Sequence, residues 1–246
     1  YPPAVMMKPL EGDFVWDGDM LVRLLQEVAP YASKETGRPV LTCVLIEPGL
    51  ETCLVTADGF RLARVSARLS GNGKSPEGTA VPLLLSAAAV PAMAKVWKVA
   101  ARDIVPEAGE GVAQMVAQAR RMEVRYDTDH LSFGMGEVQM QVKRETGVFP
   151  NYRQFIPTEW LFSVSFNAEE ALAALLRMTS LVRDGSAIVR LQWEDRKLSL
   201  VGRGEKTGEA RAELYAQVEG GEGLIAISYG YLREWLKGRI GTVVMR

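Results

Sequence analysis

The chain has little with which to perform acid–base or metal chemistry. It holds one histidine, His130, and two cysteines, Cys43 and Cys53, among 246 residues. His130 stands beside a turn with Asp127 and Asp129, and one imidazole without a Cys or Ser neighbour makes neither a catalytic triad nor a zinc site. The two cysteines fall in neighbouring apolar stretches, where buried free thiols are expected, with a disulfide as the alternative; the expected compartment is a reducing cytoplasm. No apolar run reaches the roughly 18 residues that span a bilayer, since residues 81–101, the nearest, are interrupted by Lys95, Lys98 and two prolines. The start shows neither the basic nor the apolar region of a secretory signal. Net charge is −1 and the pI about 6.1, which argues against a surface that coats nucleic acid all over, while leaving room for a basic patch offset by acid elsewhere.

Motifs for catalysis are also lacking. Residues 71–75, Gly-Asn-Gly-Lys-Ser, resemble a phosphate-binding loop, but the first glycine of that motif would fall on Arg68, and neither the strand before it nor the helix after it is expected. Glu169 and Glu170 are adjacent, so on a helix they point to different sides and cannot form a catalytic pair. No nucleophile, base and oxyanion set emerges, and no cofactor or metal is implied.

What the chain does have is repetition. Nearly half its residues are hydrophobic, 48%, and its length suffices for two domains. A strand at Phe14–Trp16 leads to a helix capped by Asp17 or Asp19, with the apolar stripe Met20, Leu21, Leu24, Leu25 and Val28. Strands at Val40–Glu47, Cys53–Thr56 and Arg61–Ala67 follow, separated by Pro48-Gly49 and Asp58-Gly59. After a loop at 70–79 the pattern restarts: a strand at Thr79–Pro82, a helix within Ser86–Ala101 with Pro91 in its first turn, a polar insertion at 105–118, then strands at Arg121–Tyr126, Leu131–Met135 and Glu137–Lys143. A third round comprises a strand at Trp160–Phe166, a helix capped by Asn167 with Glu170 three residues on, carrying Leu172, Leu175, Leu176 and Thr179 inward or nearly so, and strands at Ala187–Trp193, Lys197–Gly202 and Ala210–Val218. A fourth has a strand at Leu224–Ile227, a helix at Gly230–Lys237 and one strand, Thr242–Arg246. The expected fold is therefore α+β, built of repeated β-α-β-β-β units with helices on one face and antiparallel sheets on the other. Gly147–Pro157, with two prolines and the apolar Phe149, Tyr152, Phe155 and Ile156, reads as an extended connector between packed units, and Tyr1-Pro2-Pro3 as a fainter copy of it. The domains expected are 1–157 and 158–246.

Two stretches carry a family resemblance. Residues 54–63, Leu-Val-Thr-Ala-Asp-Gly-Phe-Arg-Leu-Ala, resemble the "ATDGHRLA" signature of the bacterial sliding clamp, the β subunit of DNA polymerase III. Residues 147–157, Gly-Val-Phe-Pro-Asn-Tyr-Arg-Gln-Phe-Ile-Pro, are similar to that family's "GRFPDYRRVIP". Gly208-Glu-Ala, Leu224-Ile-Ala-Ile and Tyr231-Leu232 fall where the family's last domain has the corresponding elements. By this resemblance the chain looks like the family's middle domain and most of its C-terminal one, without the first domain, the last hairpin or the tail. A start at Tyr1 suggests a fragment rather than a diverged two-domain relative.

The resemblance implies a non-catalytic processivity clamp that encircles duplex DNA without regard to sequence, as a homo-oligomeric ring. It would tether DNA polymerase, clamp loader and repair proteins through short peptides with Gln and Leu or Phe anchors, and would need neither cofactor nor membrane. The matched peptide-groove positions are Leu41, Ala57, Gly59, Phe60, Arg61, Leu62, Pro150, Gln154 and Phe155. A glycine turn lets backbone approach, and Leu41, Leu62, Pro150 and Phe155 can line an apolar slot. Read singly, Leu62 and Phe155 also fit as plain core residues. Ala57 and Gln154 stand where the family tends to have Thr and a basic residue, so an altered partner preference or weaker binding than in the family is expected. Arg23, Lys95, Lys98, Arg102, Arg177, Arg183, Arg233 and Lys237 fall on or just after expected helices, and would face DNA through unspecific, salt-sensitive phosphate contacts. Each alone also fits a solvated helix face. The alternative function is an interaction module that sequesters clamp-binding peptides without closing a ring.

Overall fold

The computed structural model describes residues 12–69, 81–102, 120–135, 137–183, 185–206 and 208–246. The expected opening connector, the loop at 70–79, the start of the strand at Thr79 and the insertion at 105–118 lie outside the described residues. Contacts divide the chain into two units, Tyr1–Arg153 and Gln154–Arg246, with the division inside the proline-flanked connector.

In the first unit the order is β1 (Gly12–Asp17), α1 (Gly18–Val28), β2 (Cys43–Glu47), β3 (Thr52–Ala57), β4 (Leu62–Ala67), β5 (Leu83–Ser86), α2 (Val90–Ala100), β6 (Arg121–Tyr126), β7 (His130–Met135) and β8 (Val138–Lys143). This is the strand-helix-three-strand round, twice. The rounds exchange their first strands: the two antiparallel sheets run β1-β6-β7-β8 and β4-β3-β2-β5. A bridge between Leu85 and Arg144 and a hydrogen bond from Glu145 N to Leu84 O bring the chain beyond β8 against β5.

Helix α1 starts after Asp17, which is still extended and whose carboxylate accepts from Met20 N at 2.9 Å, so of the two expected caps it is Asp17 that serves. Asp19 in the first turn adds charge of the sign that a helix N-terminus favours. The buried stripe is Leu21, Val22, Leu24, Leu25 and Val28, with Met20 half-buried at its margin. Each fully buried leucine contributes about 1.5–3 kcal/mol. Pro91 stands in the first turn of α2, where its missing N–H costs no helical bond. The two helices pack side by side, and the main core of the unit, from Phe14 and Trp16 through Met93, Trp97 and Phe133, includes residues from both helices and both sheets.

The second unit runs β9 (Ser163–Asn167), α3 (Ala168–Arg177), α4 (Thr179–Arg183), β10 (Ile188–Glu194), β11 (Lys197–Gly204), β12 (Gly208–Glu219), β13 (Gly223–Ser228), α5 (Tyr229–Leu236) and β14 (Thr242–Met245). Its strands form one antiparallel sheet, β13-β10-β11-β12-β9-β14. The long strand β12 holds it together: residues 208–215 pair with β11, and residues 216–219 pair with β9. Helix α3 is capped by Asn167, whose side chain accepts from Glu170 N at 2.9 Å, and packs against α5.

The repeated α+β rounds are as expected, but several local readings shift. The strand placed at Thr79–Pro82 is β5, at Leu83–Ser86, because Pro82 has no N–H for a ladder while Leu83–Leu85 pair with β2. Residues 40–42, read as the start of β2, belong instead to a 3-10 turn, Pro39–Thr42, seeded by Pro39 and closed by Thr42 Oγ1 donating to Pro39 O at 2.7 Å. Trp160 and Leu161 precede β9 and are exposed, so that strand is shorter than its apolar run. In α3 the buried face is Ala168, Ala171, Ala174 and Leu175, while Leu176 is 48% exposed: small residues let the helix approach closely and displace the expected leucine from the core. The connector, expected to be extended, makes a 3-10 turn at Tyr152–Phe155. Among the described residues no helix is long and apolar enough to cross a membrane.

Candidate functional site

Strands β2 and β3 are apolar without alternation, and the structure shows why: both faces are covered. Val44, Ile46 and Leu54 point into the main core, while Leu41, Cys43, Leu45, Cys53, Val55 and Leu84 form a second cluster on the opposite face. Phe149 and Tyr152 of the connector lie over that cluster, and Val40, Ala57 and Leu62 pack against its margin. The thiol of Cys43 is pushed up by burial, partly offset by a hydrogen bond with Thr42 and raised further by the charge of Glu145.

Tyr152 fastens the connector. Its hydroxyl donates to Glu47 Oε2 at 2.6 Å and lies 3.8 Å from Cys53 Sγ. Arg153 donates to both oxygens of the same carboxylate, at 3.0 and 2.9 Å, and stacks over the Tyr152 ring. Burial first, and then the hydrogen bond to Glu47, raise the Tyr152 pKa well above the ordinary phenol range.

The β3–β4 turn is fixed as firmly. Asp58 Oδ1 accepts from Phe60 N at 2.9 Å and Arg61 N at 3.0 Å, and Asp58 Oδ2 pairs with Arg61 Nε at 2.9 Å. Burial works to raise the Asp58 pKa, but the hydrogen bonds from Phe60 and Arg61 outweigh it and hold the carboxyl below its ordinary value. Gly59 has φ +93°, a conformation that a side chain resists. Arg61 also donates to Pro30 O at 3.2 Å and lies over the Tyr31 ring, tying the turn to the end of α1. Phe60 is left 84% exposed on a rigid tip.

Of the expected groove residues, the structure thus brings Leu41, Ala57 and Leu62 together on one face, and places Gly59, Phe60 and Arg61 at the turn that ends β3. Leu41 is buried; Ala57 and Leu62 are half-buried. Pro150 is exposed in the connector. Gln154 and Phe155, at the start of the second unit, are exposed, Phe155 at 67%. Glu47 was missed by the sequence reading. Its only signal was an acid closing an otherwise apolar strand.

The expected basic residues sit on or just after helices, Arg102 and Lys237 being the two beyond a helix end. Arg23, Lys98 and Arg102 line a cleft of about 770 Å³ between α1 and α2, and Lys95 is exposed on α2. Arg177, Arg183 and Lys237 are exposed at the ends of α3, α4 and α5, and Arg233 is half-buried over the Tyr229 ring. A further cation lines the α1–α2 cleft that the sequence reading missed: Arg120, which precedes β6 and belongs to no helix.

The family described as DNA polymerase III beta subunit, C-terminal domain, matches residues 153–240. The beta sliding clamp of Synechococcus elongatus is 27% identical over 191 residues, 77% of this chain and 45% of that protein. The beta sliding clamp homolog GriR of Streptomyces muensis is 26% identical over 223 residues, 89% of this chain and 54% of that protein. The crystal structure of DNA polymerase III beta subunit from Thermotoga maritima superposes with a TM-score of 0.81 at 23% identity, covering 99% of this chain and 61% of that one, so the fold is shared. The chain spans about half the length of the curated relatives it matches.

Proposed function

We propose that this chain works as the middle domain and most of the C-terminal domain of a DNA polymerase processivity clamp; the family match over residues 153–240 and the curated relatives support this reading, and the solved structures share its fold. The observation that carries the reading is the recurrence of one module, in which paired helices bear exposed Arg and Lys and antiparallel sheets back them. In this role the chain is a non-catalytic accessory part of a cytoplasmic replication machine. It contributes to a homo-oligomeric ring around duplex DNA, and holds polymerase, clamp loader and repair proteins through their peptides. The comparisons do not favour a module that merely sequesters such peptides.

In this reading Leu41, Ala57 and Leu62, with the Gly59–Arg61 turn, form the first unit's contribution to the peptide groove. Pro150 is a further first-unit residue of that groove, and Gln154 and Phe155, at the start of the second unit, are proposed as peptide contacts in their own right. The turn supplies rigid shape, the apolar face supplies desolvation, and the exposed Phe60 and Phe155 supply area for a hydrophobic anchor. The DNA-facing set is Arg23, Lys95, Lys98, Arg102, Arg177, Arg183, Arg233 and Lys237, acting through charge alone. Binding of a labelled Gln-Leu-Phe-type peptide to the chain and to its Leu62→Ser/Phe155→Ser double variant tests the groove. At least about a tenfold loss is expected, the order of one hot-spot residue, and unchanged affinity would overturn the assignment.

A further inference from the structure

We infer that Arg120 is a phosphate-contacting residue of the α1–α2 cleft and that Asp19, an acid among its cations, is the positioning residue that aims it; this rests on the DNA-facing reading above. The cleft is lined by Arg23, Lys98, Arg102 and Arg120, with Asp19 and Trp97 between them. Arg120 is held at both ends. Its carbonyl oxygen accepts from Gly18 N at 3.1 Å, at the first residue of α1, and its Nη1 donates to Asp19 Oδ2 at 2.9 Å. The other Asp19 oxygen accepts from Trp97 Nε1 at 2.7 Å, so the carboxylate is itself pinned by a side chain that is 5% exposed.

Guanidinium carries five N–H donors in a rigid fork. One is used on Asp19 and Nε is buried, so it is the remaining terminal N–H groups that are left for phosphate; the Arg120 side chain keeps 38% of its surface open. An ion pair this exposed contributes little to stability. What it does instead is hold a long side chain over the cleft before any ligand arrives, so that less rotamer freedom is lost when phosphate binds. A bare arginine on a loop would have to be ordered by the DNA itself. Asp19 therefore exerts two opposed effects on a bound phosphate: direct repulsion, and delivery of Arg120.

A double-mutant cycle separates them, using the whole chain, a short fluorescent DNA duplex and a salt titration. Arg120→Ala is expected to weaken binding about threefold and to lower the slope of log affinity against log salt by about 0.9, the signature of one lost phosphate contact. In the Arg120→Ala background, Asp19→Asn removes only repulsion and tightens binding. With Arg120 present, the same change also frees the guanidinium, and the tightening is smaller by at least about twofold, or reversed. Asp19→Asn keeps an oxygen for Trp97, and Arg120→Lys, which keeps the charge, retains the salt slope while losing the coupling. An unchanged slope in Arg120→Ala overturns the contact. Equal effects of Asp19→Asn in both backgrounds, or a larger tightening with Arg120 present, overturn the positioning role. A parent chain with no salt-dependent affinity for duplex would instead sink the DNA-facing reading itself.

Discussion

The hydroxyl of Tyr152 donates to the carboxylate of Glu47 at 2.6 Å, joining the connector to the far end of β2. Tyr152→Phe removes this bond from a buried site and leaves Arg153 as the partner of Glu47 among the described residues. We expect a loss of about 1–2 kcal/mol in urea unfolding. Because the folded-state phenol has its pKa raised, the folded state keeps a proton that the unfolded chain gives up above its ordinary pKa of 10.0. The associated stability is whole below about pH 10 and declines as pH rises through the folded value. Unfolding midpoints measured from neutral to strongly alkaline pH should show that decline in the parent and a shallower one in Tyr152→Phe.

Asp58 behaves oppositely. Its carboxyl is held below its ordinary 3.8 by the donors at Phe60 and Arg61, so the stability it contributes is present above that value and lost as pH falls through the lower, folded one. Asp58→Ala should free the Phe60 tip and raise amide exchange at Phe60 and Arg61, with the rest of the sheet unchanged. Hydrogen-exchange mass spectrometry on the peptide covering residues 58–62 checks this.

Leu41 and Phe60 share a candidate site but should fail differently. Leu41→Ala opens a hole beneath the connector and is expected to cost about 2–3 kcal/mol. Phe60→Ala removes an exposed ring and should change stability by no more than about 0.5 kcal/mol, while weakening binding of a Gln-Leu-Phe-type peptide. Equal stability losses for the two would show that Phe60 packs against something in the free protein.

How far this was legible in the sequence depended on what kind of signal each residue gives. The rounds were legible because turn dipeptides such as Asp58-Gly59 and caps such as Asp17 and Asn167 are local, and their chemistry is fixed by the backbone they sit on. The exchange of first strands was not, since β1 carries nothing that distinguishes β6 from β2 as a partner. Leu176 misled because a leucine at helical spacing outranks alanine as a core signal, yet Ala171 and Ala174 are what the packing of α3 uses. Arg120 escaped because basic residues were sought on helices, and its link to Asp19 crosses the whole first round.

Gly18 gives the fourth test. An added Cβ there would overlap the indole ring of Trp97 at Cη2, Cζ2 and Cζ3 rather than pack against it. Gly18→Ala should therefore cost about 1–3 kcal/mol through overpacking, in spite of alanine's better helix propensity, and should redden and weaken the protection of Trp97 fluorescence as the indole is pushed outward. A neutral or stabilising result would mean that the indole can yield without penalty.

The pairing of Gly12 with Tyr126 and of Asp17 with Arg121 sets a timetable for birth on the ribosome. Among the described strands of the first unit, β1 leaves the exit tunnel before the others but has no strand partner until β6 is translated, whereas β2, β3 and β4 zip together at once and accept β5 as it emerges. The nascent chain must therefore carry an apolar strand, Phe14 and Trp16 included, through a long interval without shelter. Slowing translation between β5 and β6 should lengthen that interval and bring the chain into the hands of holding chaperones.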